Sequence, residues 1–266
     1  MLTTWDELRT GDANGPVMLT VDFEGGRAVA GFRALAKLLP QEWTVLAARP
    51  PERVPGDEEE ASRALARWRD DITAGGVEVA GVLANCAGAP IAGYLAESLG
   101  GAASAPRLVL LDPAAASADV LVEAYRTALA SLPAAPAEPV PAGVDLTDGL
   151  GEPLGLAVLA RRLSRSYRDH AGGVAERLGV SQDLTADLAR LFERYMAYLV
   201  VAGLAADRPQ GRSHTLTITS SGFTLEEARD RGERIGTDVP RARLLADAGV
   251  ATAISDFLVR PPIFLV

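Results

Sequence analysis

The first 112 residues alternate between short apolar segments and segments with helical spacing, and this alternation restricts the fold more than any other feature of the chain. The apolar runs predicted to be strands cover residues 16–23, 43–48, 78–85 and 107–111. The segments predicted to be helices cover residues 27–39, 57–73 and 87–99. Strands that are apolar almost throughout, and that alternate with helices, are typical of a parallel sheet covered on both faces. The predicted fold class is therefore α/β, with a mostly parallel sheet.

The pattern changes after residue 112. Residues 113–212 contain no convincing strand, and three predicted helices surround a Pro-rich linker there: 120–132, 154–170 and 184–204 around residues 133–141. The sheet is predicted to resume at 216–219, with helices following at 225–234 and 246–258. We therefore expect a core formed by residues 1–112 and 213–266, with residues 113–212 inserted as a helical lid over the strand ends.

Charge and composition exclude several classes of function. The formal net charge of −9 makes the chain a poor partner for nucleic acid or an anionic membrane surface. No apolar run is long enough to span a membrane, and the N-terminus lacks the pattern of a secretory signal, so a cytoplasmic location is expected. A single cysteine, Cys86, and two histidines make an internal disulfide or a structural metal site unexpected.

Residues that directly follow the strands are the candidates for function, because ligands of parallel sheets bind beyond the carboxyl ends of the strands. Cys86 lies at such a place, between a buried strand and an Ala-rich helix, with Ala84 and Gly88 two residues to either side. Small residues at those positions are typical of a nucleophile elbow. The helix N-terminus there would stabilise a thiolate, although an inert buried cysteine is the alternative.

Four short motifs in order resemble the thioesterases associated with polyketide and nonribosomal peptide synthetases. These are VDFEGG at 21–26, FRALA at 32–36, ANCAG at 84–88 and RLVLLD at 107–112. The resemblance implies an α/β-hydrolase fold with a helical lid inserted after the acid. It also implies Cys86 as the nucleophile, Asp112 as the acid, and backbone N–H groups of Glu24 and Ala87 as the oxyanion hole.

The sequence departs from the family where the base is expected. The family carries a histidine before the last helix, and Val239 stands at the comparable position here. His214 precedes a strand and is expected at the opposite end of the sheet. His170, in the predicted lid, and Glu24, beside the expected oxyanion hole, are the possible acid or base groups.

A cysteine requires a base less than a serine does, because part of it is already thiolate. We therefore predict transfer or release of a carrier-bound acyl or peptidyl thioester through Cys86, with weak hydrolysis. The resemblance implies an acyl or peptidyl carrier protein, or a small-molecule thioester, as partner, with the 4'-phosphopantetheine on the partner and no cofactor on this chain. A non-hydrolytic cyclase, isomerase or epimerase using Glu24 or Asp112 is one alternative, and a catalytically degenerate binding protein is another.

Four arginines on one predicted helix are candidates for docking an acidic carrier protein. They are Arg161, Arg162, Arg165 and Arg168. A solvated helix face explains the same pattern equally well.

Overall fold

Seven strands form one sheet in the computed structural model, which describes residues 2–23, 30–100, 105–132, 155–208, 214–224 and 232–260. The strands are β1 (Trp5–Arg9), β2 (Val17–Val21), β3 (Thr44–Ala48), β4 (Val79–Asn85), β5 (Arg107–Leu111), β6 (Thr215–Thr219) and β7 (Glu233–Gly236). Their order across the sheet is β1-β3-β2-β4-β5-β6-β7. All neighbouring pairs are parallel except β1 and β3, which are antiparallel. The predicted α/β class with a mostly parallel sheet is confirmed.

The two edge strands were not predicted from the sequence. In β1 only Trp5 is buried, and in β7 no residue is buried, so neither strand carries an apolar pattern. The predicted helix over residues 225–234 is wrong at Glu233 and Arg234, which belong to β7. Its residues 225–231 lie outside the described part of the chain, as does the predicted linker at 133–141.

Seven α-helices accompany these strands in the described residues. They are α1 (Phe32–Ala36), α2 (Glu58–Ala74), α3 (Ala89–Ser98), α4 (Ala118–Ala130), α5 (Leu156–Leu178), α6 (Gln182–Ala206) and α7 (Ala248–Val259). α5 continues past its predicted end at residue 170, through Gly172 and Gly173, and ends at Leu178, where Gly179 caps it with a left-handed φ of 63°. Val174 and Ala175 are buried on its added turns, so packing outweighs the low helix propensity of the two glycines.

Alternate residues of the strands face opposite sides of the sheet. On one side of the sheet, strand residues and helices α1 and α7 form a single core cluster. It includes Leu83 and Ile218 from the strands and Phe32 and Phe257 from the helices. α3 contacts β2, β4 and β5, and Val82 and Ala84 of β4, which lie outside that cluster, are fully buried. The strands are thus covered on both faces, as their continuous apolar sequences predict.

The chain separates into two compact units. The first consists of Met1–Arg49, Ala66–Ala115 and Arg208–Val266, and includes the whole sheet. The second consists of Pro50–Leu65 and Ala116–Asp207, and includes α4, α5 and α6. The predicted insertion supplies most of the second unit, and its role as a lid stays a prediction.

An aromatic cluster holds the three helices of the second unit together. Phe192 of α6 lies against Tyr125 of α4 and Tyr167 of α5, with ring centroids 6.2 Å and 4.5 Å apart. The Tyr125 hydroxyl is hydrogen-bonded to Ser166 Oγ at 2.7 Å. Burial raises the pKa of both tyrosines above the ordinary value, so both rings stay neutral at physiological pH. None of the described helices is long and apolar enough to cross a membrane.

A side chain of α2 anchors the N-terminal edge of the sheet. The carboxylate of Asp71 accepts hydrogen bonds from the backbone N–H groups of Thr3 and Thr4, at 2.6 and 2.8 Å, and from the Thr4 hydroxyl at 2.8 Å. Partial burial works against the charged form, but the hydrogen bonds from Thr4 and Thr3 outweigh it and hold the pKa of Asp71 below its ordinary value.

We expect Asp71→Asn to lower the free energy of unfolding at pH 7 by about 0.5–1 kcal/mol, since the bonds are charge-assisted but partly solvent-exposed. A depressed carboxyl pKa stabilises the fold above the unfolded value of about 3.9, and this contribution is lost as the pH falls through the folded value. Urea denaturation should therefore separate variant and native protein at pH 7 and bring them together near pH 3. Glu97→Gln, at an exposed position of α3, is the control. A difference that persists unchanged at low pH would contradict the assignment.

Candidate active site

Cys86 lies on a strained turn between β4 and α3. It begins a single 3-10 turn, Cys86–Gly88, and has a φ of 52°. Among the described residues, Cys86 and Asp112 are the only non-glycine residues with positive φ. Such backbone conformations cost free energy and are concentrated at functional sites. Ala84 and Gly88 are buried, as the small-residue requirement of a nucleophile elbow predicts.

Asp112 directly follows β5 and is completely buried, with a side-chain exposure of 0%. Its two carboxylate oxygens each accept a hydrogen bond from Ser220, which follows β6. The Ser220 N–H donates to Oδ1 and the Ser220 hydroxyl donates to Oδ2, both at 2.7 Å. The Asp112 N–H donates in turn to Ile218 O at 3.0 Å. Buried anions need such partners, and the carboxylate is thereby fixed at the ends of β5 and β6.

Arg241 joins the cysteine to the aspartate. It lies on the 3-10 turn Arg241–Ala246, which follows β7 and precedes α7. Its Nη2 donates a hydrogen bond to Cys86 Sγ at 3.0 Å, and its Nε lies 3.7 Å from Asp112 Oδ2. One guanidinium therefore faces both a potential thiolate and a buried carboxylate.

This arrangement changes the prediction about the missing base. Val239, at the position where the family carries its histidine, packs against the core cluster, and its N–H and C=O are hydrogen-bonded to Thr237 Oγ1 and the Ser221 N–H. The residue of this segment that contacts Cys86 is Arg241, two positions after Val239. A guanidinium donates hydrogen bonds but accepts no proton in a protein, so it can stabilise a thiolate but cannot act as a general base.

A second hydrogen-bonded pair fixes the strand end before Cys86. The Asn85 amide donates from Nδ2 to Asp22 Oδ2 at 3.0 Å, and the Phe23 N–H donates to Asp22 Oδ1 at 2.7 Å. Since Asp22 follows β2 and Asn85 ends β4, this pair connects two adjacent strands beside the turn. Both residues lie within the sequence motifs at 21–26 and 84–88, but neither was predicted to be a site residue.

The remaining predicted site residues are distributed as follows. Glu24 lies outside the described residues, so its predicted places in the oxyanion hole and as an acid or base stay predictions. Ala87 follows Cys86 on the same turn and is buried, and its N–H stays a predicted oxyanion donor. His170 belongs to the second unit, where its Nδ1 is hydrogen-bonded to Ser166 O at 2.8 Å within α5. His214 precedes β6 and stacks on Phe257 with centroids 5.1 Å apart, at the opposite end of β6 from Ser220.

The four predicted docking arginines differ in their surroundings. Arg161 donates to Pro55 O and Gly56 O, both at 2.6 Å, and Arg168 forms an ion pair with Glu193 at 2.8 Å. Arg162 is half-buried and also has interactions within the protein. Arg165 is exposed. Internal contacts therefore occupy much of the predicted stripe, and carrier docking stays a prediction.

The described residues contain no group of three or more histidine, cysteine, aspartate or glutamate side chains that could hold a metal ion. The reactive group that the described residues do form is Cys86 with the guanidinium of Arg241 beside it.

We expect Arg241→Gln to slow alkylation of Cys86 by iodoacetamide about tenfold at pH 7, because the variant loses a charge-assisted hydrogen bond to the thiolate. Arg243→Gln removes the same charge from an exposed position of the same turn and should react like the native protein. Equal rates in the two variants would show that the Arg241 contact does not act on the thiol.

We expect Ser220→Ala to lower the free energy of unfolding by about 1–2 kcal/mol, because a buried carboxylate oxygen loses its hydroxyl donor. The adjacent Ser221 side chain is exposed, and Ser221→Ala should change the free energy by less than about 0.5 kcal/mol. Urea denaturation of both variants measures the difference. Indistinguishable unfolding midpoints would be evidence against a structural role for this hydroxyl.

Solved structures of known proteins share this fold. The Vlm2 thioesterase domain, with genetically encoded 2,3-diaminopropionic acid and a bound dodecadepsipeptide, matches with a TM-score of 0.52 and 17% identity, covering 97% of this chain and 99% of that one. AB3403, a four-domain nonribosomal peptide synthetase bound to AMP and glycine, matches with a TM-score of 0.57 and 19% identity over 97% of this chain. This chain spans 20% of that synthetase.

A haloalkane dehalogenase loop variant from Bradyrhizobium elkanii also matches, with a TM-score of 0.51 and 13% identity, covering 96% of this chain and 91% of that one. No protein-family model matches the sequence, and no curated protein does. Identities this low establish likeness of fold. The fold that the sequence motifs implied is therefore confirmed: the chain has the α/β-hydrolase architecture, which it shares with the Vlm2 thioesterase domain, with part of the synthetase AB3403 and with the haloalkane dehalogenase.

Proposed function

We propose that the protein accepts an acyl or peptidyl group from a carrier-bound thioester onto Cys86 and passes it on, as a step in natural-product assembly. The observation that carries the proposal is the hydrogen bond from Arg241 Nη2 to Cys86 Sγ, 3.0 Å long, on a strained strand-to-helix turn. A cysteine on such a turn and beside a cation has the surroundings of a reactive thiol.

The first step is an exchange of one thioester for another. The Cys86 thiolate attacks the carbonyl carbon of the carrier thioester, a new C–S bond forms, and the carrier thiolate leaves with the electron pair of the broken C–S bond. Both bonds are of the same type, so the step is nearly balanced in free energy. Arg241 favours the thiolate that starts the reaction, because charge-assisted hydrogen bonds stabilise the ionised partner.

Asp112 positions Arg241 in this scheme. Its carboxylate is held by two hydrogen bonds from Ser220 and faces the Nε of Arg241. The alternative, in which Asp112 is itself an acid or base, fits the geometry less well, because its oxygens are buried and already accept those bonds. A positioning role fits better, because the Asp112 carboxylate is fixed by Ser220 and can orient the guanidinium of Arg241 without moving.

Hydrolysis of the acyl enzyme is expected to be slow. A water molecule needs a general base to attack a thioester at neutral pH. Val239 stands at the place of the family histidine, and the side chain that contacts Cys86 from this segment is Arg241, which accepts no proton. The proposed function is accordingly transfer or release to a nucleophile of the substrate or of a partner.

The partner we propose is an acyl or peptidyl carrier protein, whose phosphopantetheine thiol holds the substrate. The Vlm2 domain with the same fold binds a dodecadepsipeptide, which supports an acyl group of peptide or depsipeptide type. Arg165, on α5, is exposed and is the residue of the predicted stripe best placed to meet an acidic carrier.

Incubation with acyl-pantetheine thioesters should add one acyl group to the native protein and none to Cys86→Ala, as measured by intact-protein mass spectrometry. Peptide mapping should place the group on Cys86, because it is the only cysteine of the chain. Arg241→Gln should acquire the adduct about tenfold more slowly, for the reason given for alkylation.

Cys86→Ser is the informative control, since a hydroxyl beside an arginine lacks a base and should remain unacylated. The proposal would be wrong if native protein and Cys86→Ala gained the same mass, or if neither gained any with both short acyl and peptidyl thioesters.

A further inference from the structure

We infer that the acceptor of the acyl group on Cys86 is a second thiol, so that the protein exchanges acyl groups between two thioesters rather than releasing them to water, an alcohol or an amine. This inference rests on the proposed function and narrows it to one class of acceptor. Three features of the site lead to it: the donor on the sulfur, the proton chemistry of that donor, and the charge of the Cys86–Arg241–Asp112 group.

The contact at the sulfur assists both halves of a thiol-to-thiol exchange. In the first half Cys86 attacks as a thiolate. In the second half the acceptor thiol, which loses its proton to solvent, attacks the carbonyl carbon of the acyl-Cys86 thioester as a thiolate. A new C–S bond forms, and Cys86 leaves as a thiolate with the electron pair of the broken C–S bond. The N–H of Arg241 that points at Sγ from 3.0 Å stabilises the same anion in both roles. A histidine base would instead protonate and deprotonate the entering and leaving groups.

The proton chemistry of Arg241 selects among acceptors. An alcohol or a water molecule must lose a proton to become a competent nucleophile, and an alkyl amine is largely protonated near pH 7. A thiol is already a few per cent thiolate there and is intrinsically very nucleophilic. The guanidinium at the site removes no proton, so the acceptor that needs no proton removed by the enzyme has the advantage.

The charge of the site favours an anionic acceptor once the enzyme is acylated. When Cys86 is the thiolate that attacks, the group formed with the Arg241 guanidinium and the Asp112 carboxylate carries one net negative charge, and acylation of Cys86 removes it. The guanidinium, whose side chain is 56% exposed, then faces a neutral thioester while Asp112 stays fully buried behind it. An incoming thiolate meets an accessible cation, whereas an ammonium group is repelled by it.

The chemistry also gives the protein a place in a reaction sequence. Its product is again a thioester and keeps the reactivity of the substrate. A thioester-forming reaction must therefore precede it, and a separate hydrolytic or ring-closing reaction must follow it to release the acyl group.

A set of matched acceptors tests the inference. The native protein is incubated with an acyl-pantetheine thioester and one of N-acetylcysteamine, N-acetylethanolamine or N-acetylethylenediamine, which differ only in a thiol, a hydroxyl or an amine. Products are quantified by liquid chromatography and mass spectrometry, and the rates with Cys86→Ala are subtracted as the uncatalysed background. We expect the thiol product to form at least about tenfold faster than the ester, the amide or the free acid.

An acyl adduct on Cys86 that passes to the alcohol or the amine as fast as to the thiol would overturn the inference and leave the proposed function standing. Equally fast passage to water would overturn the inference and the slow hydrolysis expected above, but not acylation of Cys86. Absence of any adduct would overturn the proposed function, and this inference with it.

A degenerate exchange tests the part played by Arg241. Acyl-N-acetylcysteamine is mixed with deuterated N-acetylcysteamine, so that donor and acceptor are chemically identical and the two half-reactions mirror each other. Arg241→Gln should slow entry of the label about tenfold, while Arg243→Gln should match the native rate. Equal rates in the two variants would show that the Arg241 contact does not assist the exchange.

Discussion

The double hydrogen bond between Ser220 and the Asp112 carboxylate is the interaction on which the site depends. It lies at the ends of two adjacent parallel strands, β5 and β6, where Asp112 has lost all contact with solvent. A carboxylate in that position would be costly without those donors. The carboxylate held in this way places a negative charge beside the turn that follows β7, and Arg241 of that turn forms an ion pair with it. Cys86, which follows β4, is the third member of the group, because its Sγ accepts a hydrogen bond from Arg241 Nη2.

An arginine, Arg241, lies between the cysteine and the aspartate here, where the family has a histidine between its nucleophile and its acid, and this difference alters the chemistry that is open to the site. Both side chains can bridge an acid and a nucleophile through two nitrogens, but a neutral imidazole accepts the proton of the nucleophile with one of them, whereas a guanidinium only donates. They differ in that imidazole changes its charge near neutral pH, whereas guanidinium does not. A cysteine tolerates this exchange better than a serine, because a permanently charged donor is sufficient to favour a thiolate but provides no route for the proton of a hydroxyl. The combination of cysteine and arginine is therefore chemically coherent, and each departure from the family pattern explains the other.

The sequence was most informative where burial is continuous along the chain. Strands β2 to β6 could be predicted because both of their faces are apolar, and Cys86 and Asp112 could be predicted because each directly follows such a strand. β1 and β7 lie at the edges of the sheet and bury little, so they leave no pattern in the sequence. Arg241 and Ser220 could not be predicted either, since each acts on a residue more than 100 positions away. The only local signal for Arg241 was its position two residues after Val239.

Arg241 and Asp112 differ in their exposure to solvent, and this difference makes the site responsive to the salts around it. The guanidinium of Arg241 is more than half exposed, at 56%, while the carboxylate behind it is sealed from solvent. Small anions such as phosphate or chloride can therefore reach the cation and compete with the sulfur for it, whereas cations cannot reach Asp112. Salt would weaken the contact between Arg241 and the Cys86 sulfur but leave the hydrogen bonds between Ser220 and Asp112 intact. The reactivity of Cys86 is therefore the property of this site that depends on salt.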